Sequence, residues 1–199
     1  MGNVADCPHE RDRFIGSIGN IYWRARGPQP ARPLISRPPM AADGTLPLDW
    51  STAARPIVMV SGCYDLLHSG HAAFFADAKK HGNLYVSVGS DVNVTQLKKA
   101  PMFPENERLY MVRAIRHVTW AAVCSGMGML DWEADLDIVK PDVFFVNEDG
   151  DRPGKREACE KRGITYQVGN RVPAENLDVR SSTSIKAALK EQANTKEGK

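Results

Sequence analysis

The chain has 199 residues, with 26 Lys and Arg against 24 Asp and Glu, and a formal net charge of +2. This length suits one domain with a sizeable core, and the balanced charge gives no electrostatic case for a nucleic-acid partner. No apolar run approaches the roughly 20 residues that span a bilayer, and the N-terminus lacks the apolar segment of a secretion signal. The four cysteines are widely spaced without a C-x-x-C pair, so we expect reduced thiols in a cytoplasmic protein.

Residues 1–55 are interrupted by prolines and carry scattered arginines, which excludes long helices and central strands. We interpret this region as an extended, proline-rich N-terminal arm. Several of its side chains, including Tyr22, Trp23 and Trp50, are too apolar for a fully solvated tail. The arm is therefore expected to lie on the domain or on a neighbouring subunit. A polar tail is expected at residues 193–199, which leaves residues 56–192 as the domain.

From residue 56 onward, short apolar runs alternate with segments of helical spacing. The apolar runs predict five buried strands, at Ile57–Val60, Leu84–Val88, Thr119–Cys124, Val143–Val146 and Ile164–Val168. The predicted helices are Ala72–His81, a short one from Asp91 to Leu97, one that opens at Pro104 with an apolar stripe as far as Ile115, Leu130–Val139, Pro153–Arg162 and Ile185–Gln192. Short strands that alternate with helices imply an α/β fold with a parallel sheet covered on both faces. Ligands bind beyond the C-terminal ends of such strands.

The first strand leads into the stretch Val60-Ser61-Gly62-Cys63-Tyr64-Asp65-Leu66-Leu67-His68-Ser69-Gly70-His71. Two histidines three residues apart fall where a glycine turn becomes a helix, and they share one face of its first turn. A helix N-terminus carries unpaired N–H groups and a partial positive charge, which suit phosphate. Gly70 leaves room for a ligand to approach the backbone. The stretch therefore predicts a nucleoside-triphosphate site.

This pattern, strand-G-x-x-D-x-x-H-x-G-H, resembles the H-x-G-H nucleotidyltransferase superfamily. Three further segments match in the family's order: the lysine loop and E-R-x-x-M-V-x-A-I helix of Leu97–Ile115, the strand Pro141–Asp149, and Arg180–Ile185, which is similar to the closing R-x-x-[ST]-[ST]-T-x-I signature. The resemblance covers about residues 56–190. It is closest to cytidylyltransferases acting on glycerol phosphate, phosphocholine or phosphoethanolamine, and to the adenylyltransferases of ADP-heptose synthesis. It implies a five-stranded, parallel, Rossmann-like sheet.

The resemblance also implies the chemistry and the residues that perform it. A phosphate or phosphonate oxygen attacks the α-phosphorus of a nucleoside triphosphate in line, and pyrophosphate leaves. The implied catalytic residues are His68, His71, Lys98 and Arg180. The implied nucleotide-binding residues are Gly62, Cys63, Tyr64, Gly70, Asp149, Ser182 and Thr183. Asp65, Lys99 and Arg108 are candidates for the acceptor side. Mg²⁺ is implied on the triphosphate, with no ligand directly from the protein.

Several of these residues have two interpretations. His68 and His71 would donate to the α and β phosphates, and Arg180 would neutralise the leaving pyrophosphate. Lys98 would reach the α-phosphate or the acceptor phosphate, with Lys99 as the other candidate. Arg108 is either a ligand of substrate or phosphate, or a solvated residue on an amphipathic helix. Tyr64 is either pocket lining or ordinary core, and Ser182 and Thr183 are expected to cap the last helix while holding the β and γ phosphates.

We therefore expect a cytidylyltransferase that takes CTP and a small phosphate or phosphonate acceptor. The alternatives are an adenylyltransferase acting on a sugar phosphate and a non-catalytic nucleotide-binding module, against which the intact histidine pair argues. Many family members carry glycine where Asn147 stands, so the motifs do not fix the choice of base. The family is often dimeric, and we expect a homodimer.

Overall fold

A computed structural model describes residues 49–97, 100–170, 173–174 and 176–197. Five strands form one sheet: β1 Ile57–Gly62, β2 Asn83–Val88, β3 Trp120–Val123, β4 Val143–Asn147 and β5 Thr165–Gly169. Their order is β3-β2-β1-β4-β5, and every neighbouring pair is parallel. The order reverses between β1 and β4, so the C-terminal ends of these central strands flank a switch point, where ligands bind in such sheets. The predicted five-stranded, Rossmann-like α/β fold is confirmed.

Helices cover both faces of this sheet. They are α1 Ser69–Ala78, α2 Asp91–Leu97, α3 Glu105–Ala114, α4 Glu133–Val139, α5 Pro153–Glu160 and α6 Ser182–Glu197. Along β1, Ile57 and Met59 pack on one face with residues of α4 and α5. Val58 and Val60 pack on the other face with residues of α1 and α3. Because side chains alternate along a strand, one continuous apolar run supplies two cores.

The predicted arm lies almost wholly outside the described residues, and its extended character stays a prediction. Its last residues are described, and Trp50 is buried there. The Trp50 ring packs edge-on against Tyr85, at 5.3 Å between centroids, and against Trp120, at 5.1 Å. Aromatic pairs of this kind favour edge-to-face geometry. The hydrophobic core therefore extends to a residue on the N-terminal side of β1.

Several helix boundaries differ from the sequence prediction. α1 starts at Ser69 instead of Ala72, because His68 caps it. α4 starts at Glu133 instead of Leu130, since a 3-10 turn at Gly128–Leu130 precedes it. α6 runs to Glu197 instead of ending near Gln192, because no glycine or proline stands there to end it. The sites of the helices were thus predicted, but their ends depend on local hydrogen bonds.

No helix in the part of the chain that the structure describes is long and apolar enough to cross a membrane. Three of the cysteines are described, and Cys63, Cys124 and Cys159 are all free thiols. Burial raises the pKa of Cys124 to about 12 and that of Cys159 to about 11. These two thiols are therefore protonated and unreactive at neutral pH.

Candidate functional site

The turn after β1 has unusual backbone geometry. Tyr64 and Leu66 are left-handed, with φ of +55° and +49°. The Tyr64 ring folds back over the end of β1, and its atoms lie 3.0–3.3 Å from where a Cβ at Gly62 would stand. A side chain at Gly62 would therefore displace the ring. Tyr64 both packs in the core and lines the main cavity described below, and burial raises the pKa of its unpartnered hydroxyl.

His68 and His71 form a capping box at the start of α1. The Nδ1 atom of His68 accepts the N–H of Gly70 at 3.1 Å, and Nδ1 of His71 accepts the N–H of His68 at 3.3 Å. The two ring centroids are 4.0 Å apart. Since each Nδ1 is an acceptor, the neutral rings carry their protons on Nε2. Both rings line the same cavity, and an imidazole N–H is a suitable donor to an anion.

Gly70 lets the chain before α6 approach the histidines closely. A Cβ at Gly70 would lie 2.9 Å from the His68 ring and 3.0 Å from the carbonyl oxygen of Arg180. The first contact would displace the His68 ring, and the second would push the backbone at Arg180 away. The absence of a side chain therefore brings the H-x-G-H turn and the segment with the R-x-x signature into contact.

The start of α6 is capped by Ser181, one residue earlier than predicted. The Ser181 hydroxyl accepts the N–H of Ser184 at 3.0 Å. Ser182 is instead the first helical residue, and its hydroxyl donates to the carbonyl of Asp65 at 2.8 Å. The capping function is thus moved to Ser181, which leaves Ser182 and Thr183 at the rim of the main cavity.

A main cavity of about 670 Å³ lies at the C-terminal edge of the sheet. It brings together most of the residues that the sequence singled out, on β1, α1, α6 and the end of β4. Those residues are Gly62, Cys63, Tyr64, Asp65, His68, Gly70, His71, Asp149, Ser182 and Thr183. The arrangement places two imidazole donors, two hydroxyls and a helix N-terminus around one space, which can accommodate a polyphosphate.

Two smaller cavities adjoin the main one. The second cavity, about 280 Å³, shares Gly70, Phe74 and Asn147 with the main cavity and extends along the outer side of α1. The side cavity, about 160 Å³, shares Val94 and Lys155 with the main cavity, among other residues, and reaches the end of β2. The main cavity therefore continues in two directions, which suits a substrate pair with one group at either end.

Of Arg180, Lys98 and Lys99, the cationic residues predicted to act on phosphates, the structure describes Arg180. Arg180 lines the second cavity, and its guanidinium forms a 3.9 Å ion pair with Asp178. Lys98 and Lys99 lie outside the described residues. Leu97, immediately before them, lines the side cavity.

Arg108 is neither solvated nor directed at a ligand in this arrangement. Its side chain is fully buried, and all five of its N–H donors point to protein atoms. They reach the carbonyls of Cys63, Gly89 and Phe103, the Cys63 sulfur, and the carboxylate of Asp91 at 2.8 Å. Arg108 therefore ties the ends of β1 and β2 to both sides of the lysine loop. The solvated interpretation is wrong, because the helix face that carries Arg108 is packed against these loops.

Lys186 is a site residue that sequence reasoning missed. Its Nζ lies 2.7 Å from Oδ2 of Asp65, and it lines the main cavity. Burial alone would raise the pKa of Asp65, but hydrogen bonds from Lys186 and from the N–H groups of Met102 and Phe103 hold the pKa below its usual range. The signal was available, since Lys186 follows Ser182 by four residues and so shares its helix face.

Among the residues that the structure describes, no group of three His, Cys, Asp or Glu side chains is arranged to hold a metal ion. Mg²⁺ commonly binds through substrate phosphates with few protein ligands. The donors around the main cavity fit a metal that arrives with a triphosphate, and Mg²⁺ stays a prediction of that kind.

Residues 59–188 match the family model described as cytidylyltransferase-like. The FAD synthase of Methanocella paludicola is 31% identical over 137 residues, which are 67% of this chain and 96% of that protein. The FAD synthase of Methanopyrus kandleri is 35% identical over 117 residues, which are 56% of this chain and 76% of that protein.

Among similar solved structures is that of the lipopolysaccharide core biosynthesis protein from Thermoplasma volcanium. It is 26% identical, has a TM-score of 0.48, and covers 60% of this chain and 98% of that chain. The family model alone spans more than half of the 199 residues and includes every described segment of the main cavity. The chain therefore belongs to the cytidylyltransferase-like family of nucleotidyltransferases.

Proposed function

We propose that this protein transfers an adenylyl group from ATP to a phosphate monoester and releases pyrophosphate, with FMN as the first acceptor to test. The observation that carries the proposal is the convergence of His68, His71 and the start of α6 on one cavity. The choice of nucleotide rests on relatives named FAD synthase. FAD is FMN joined to AMP through a phosphoanhydride bond, so its synthesis requires adenylyl transfer. The adenylyl alternative therefore replaces CTP as the first choice.

In the proposed reaction, a phosphate oxygen of the acceptor attacks the α-phosphorus in line. The bond between that phosphorus and the bridging oxygen breaks, and pyrophosphate carries the electron pair away. The Nε2–H groups of His68 and His71 donate to the phosphate oxygens whose charge grows in the transition state. Ser182 and Thr183 hold the distal phosphates with hydroxyl and backbone N–H groups. Mg²⁺, when bound to the triphosphate, supplies additional charge neutralisation.

The remaining proposed roles concern the two ends of the substrate pair. The second cavity is the larger of the two extensions and adjoins Arg180, so we assign it to the nucleoside and Arg180 to the leaving pyrophosphate. The side cavity adjoins Leu97, directly before the lysine loop, so we assign it to the acceptor. Lys98 or Lys99 then brings positive charge to the acceptor phosphate as it meets the α-phosphorus.

Pyrophosphate release with each nucleotide and each acceptor tests this proposal. ATP and CTP are each combined with FMN, glycerol phosphate, phosphoethanolamine, a sugar phosphate and a phosphonate, with Mg²⁺ present. We expect release with ATP and FMN, and FAD identified by mass. Release mainly with CTP and a small phosphate would overturn the proposal in favour of the cytidylyl reaction. Nucleotide binding by calorimetry without release for any pair would favour the non-catalytic module.

A further inference from the structure

Asp65 accepts hydrogen bonds from two segments that are distant from it in sequence. Its Oδ2 atom lies 2.7 Å from Nζ of Lys186 on α6. The same carboxylate accepts the N–H of Met102, at 3.0 and 3.1 Å, and the N–H of Phe103, at 3.2 Å. Its backbone carbonyl accepts the hydroxyl of Ser182 at 2.8 Å. One residue of the H-x-G-H turn therefore holds both the start of α6 and the loop between α2 and α3.

These contacts are made by a buried charge. Asp65 is 6% exposed, whereas the side chain of Lys186 is 39% exposed. Removal of one partner from a buried ion pair is costly, because the other charge is left without compensation. Within the described part of the chain, Lys186 is the cation that forms an ion pair with Asp65. The position of the carboxylate, and with it the loop N–H groups that it accepts, thus depends on a residue of α6.

We propose that Asp65 and Lys186 form a positioning pair that couples α6 to Met102 and Phe103, which directly precede α3, so that these two sides of the site hold one relative position. Lys186 does not contact Met102 or Phe103 through any hydrogen bond described, and its influence on the loop passes through Asp65. This inference rests on the proposed function for its catalytic consequence. The structural coupling is separate and is measured without substrate.

Hydrogen exchange tests the coupling directly. In Lys186→Gln, we expect the amides of Met102 and Phe103 to exchange about tenfold faster than in the wild type, because they lose a well-placed charged acceptor. Lys186→Arg keeps the charge and should restore slow exchange. Lys190→Gln, one turn further along the exposed side of α6, makes the same charge change and should leave the loop unaffected. Unchanged exchange at Met102 and Phe103 in Lys186→Gln would overturn the proposal.

Loss of the fold is excluded by a reference within the same measurement. The amides of β1 and β2 lie in the centre of the sheet and should keep wild-type exchange in each variant. Asp65→Asn is a second test of the coupling, since it also removes the ion pair between Asp65 and Lys186. In a cycle with Lys186→Gln, the double variant should exchange about as fast as either single variant. Additive acceleration would contradict a shared pathway through Asp65.

Turnover gives the catalytic consequence. If the pair positions the segment that directly precedes α3, Lys186→Gln should lower kcat by about tenfold to a hundredfold while KM for ATP changes less than about threefold. An equal loss of ATP affinity would show that Lys186 binds the nucleotide itself and would overturn the positioning role. If the wild type fails to turn over ATP and FMN, the proposed function falls, but the exchange result still decides the coupling.

Discussion

His68 and His71 each use Nδ1 to stabilise the first turn of α1, and both rings line the main cavity. The sequence predicted that the pair would share one face of a helix start. It did not reveal the capping box, because histidine is not among the residues that usually cap helices. To separate the helix cap from the proposed catalytic donor, a substitution must keep an acceptor at the position of Nδ1 and remove Nε2–H.

His71→Asn makes that separation. The amide oxygen of asparagine takes the place of Nδ1, whereas the Nε2–H donor is lost. We expect turnover to fall by about a hundredfold or more, as for other lost transition-state donors. His71→Ala should lose similar activity and also about 1 kcal/mol of stability, because it removes the cap. Pyrophosphate release and urea unfolding measure the two effects, and wild-type turnover in His71→Asn would refute the catalytic role.

Asp135 is a buried carboxylate outside the proposed chemistry. It accepts hydrogen bonds from Ser87 at 2.5 Å, Ser125 at 3.0 Å and Tyr85 at 3.4 Å. Burial outweighs these bonds and raises its pKa above the ordinary 3.8. The folded state therefore binds the proton more tightly than the unfolded chain does. The stability that Asp135 contributes is fully present below the pKa of the unfolded chain. It is lost as the pH rises through the pKa of the folded state.

Asp135→Asn should remove that pH dependence. The amide nitrogen can donate to the two hydroxyls, so the packing is retained while the charge is lost. Relative to the wild type, we expect the free energy of unfolding of this variant to increase as the pH rises from about 4 to about 8. Asp137→Asn on the same helix is the control, because Arg162 lowers the pKa of Asp137 and its pH dependence therefore falls mostly below about pH 4. A constant difference between Asp135→Asn and wild type across the range would contradict the prediction.

Arg108 illustrates why part of the site escaped sequence reasoning. The sequence placed it on an amphipathic helix and left a ligand or a solvated residue as the choices. Its actual neighbours, the carbonyls of Cys63 and Gly89, lie 45 and 19 residues away along the chain. Only the packing of α3 against the strand ends brings them together. Local pattern predicts the helix, but a buried network of this kind depends on the tertiary arrangement.

At the scale of elements, strands and helices were predictable because apolar runs and helical spacing are visible in the sequence. The observed helix ends differ from the predicted ones where a side chain accepts a backbone N–H, as Ser181 does for α6. Two glycines, Gly82 and Gly154, differ in how much space surrounds them, and the sequence alone does not show this difference. Gly82, between α1 and β2, has φ of +153°, and a Cβ there would lie 2.3 Å from the carbonyl oxygen of Pro56. Among the described residues, a Cβ at Gly154, in α5, would meet only the side chain of Leu130, at 3.9 Å.

Alanine at these two glycines should therefore have opposite effects. Gly82→Ala is expected to cost about 2 kcal/mol or more, because it strains the backbone and collides with a carbonyl oxygen. Gly154→Ala should stabilise the protein by about 0.5–1 kcal/mol, because it reduces the freedom of the unfolded chain within a helix. Urea unfolding of both variants measures the difference. Equal effects of the two substitutions would show that the close approach at Gly82 is relieved at little cost.

At the scale of the molecule, the sequence predicted a parallel five-stranded sheet and an edge where the motifs meet. The strand order was not available from local patterns, since β1 pairs with both β2 and the much later β4. Three parts of the prediction stay open to experiment: the arm, the lysines of the loop and the cytoplasmic location. The family resemblance indicated the cavity but not the nucleotide, because the histidine turn and the Ser-Thr helix are proposed to bind phosphates, which ATP and CTP share.

The expected homodimer is also a prediction at this scale. Sedimentation velocity over a range of concentrations, with and without nucleotide, measures it. We expect a single dimeric species at micromolar concentration. A monomer throughout the range would contradict the prediction, and it would leave the proposed site intact, because all the described parts of that site come from one chain.

Trp132 has a practical consequence for this enzyme. It lines the side cavity, and the Nζ atom of Lys155 lies 5.9 Å from its ring centroid. Trp50 and Trp120 pack against each other in the same hydrophobic core as Trp132, but they line none of the three cavities described. An isoalloxazine ring that enters the side cavity would quench the emission of Trp132 most strongly, because Trp132 lines that cavity. The protein thus carries its own optical reporter of acceptor binding, and comparison with Trp132→Phe isolates the signal.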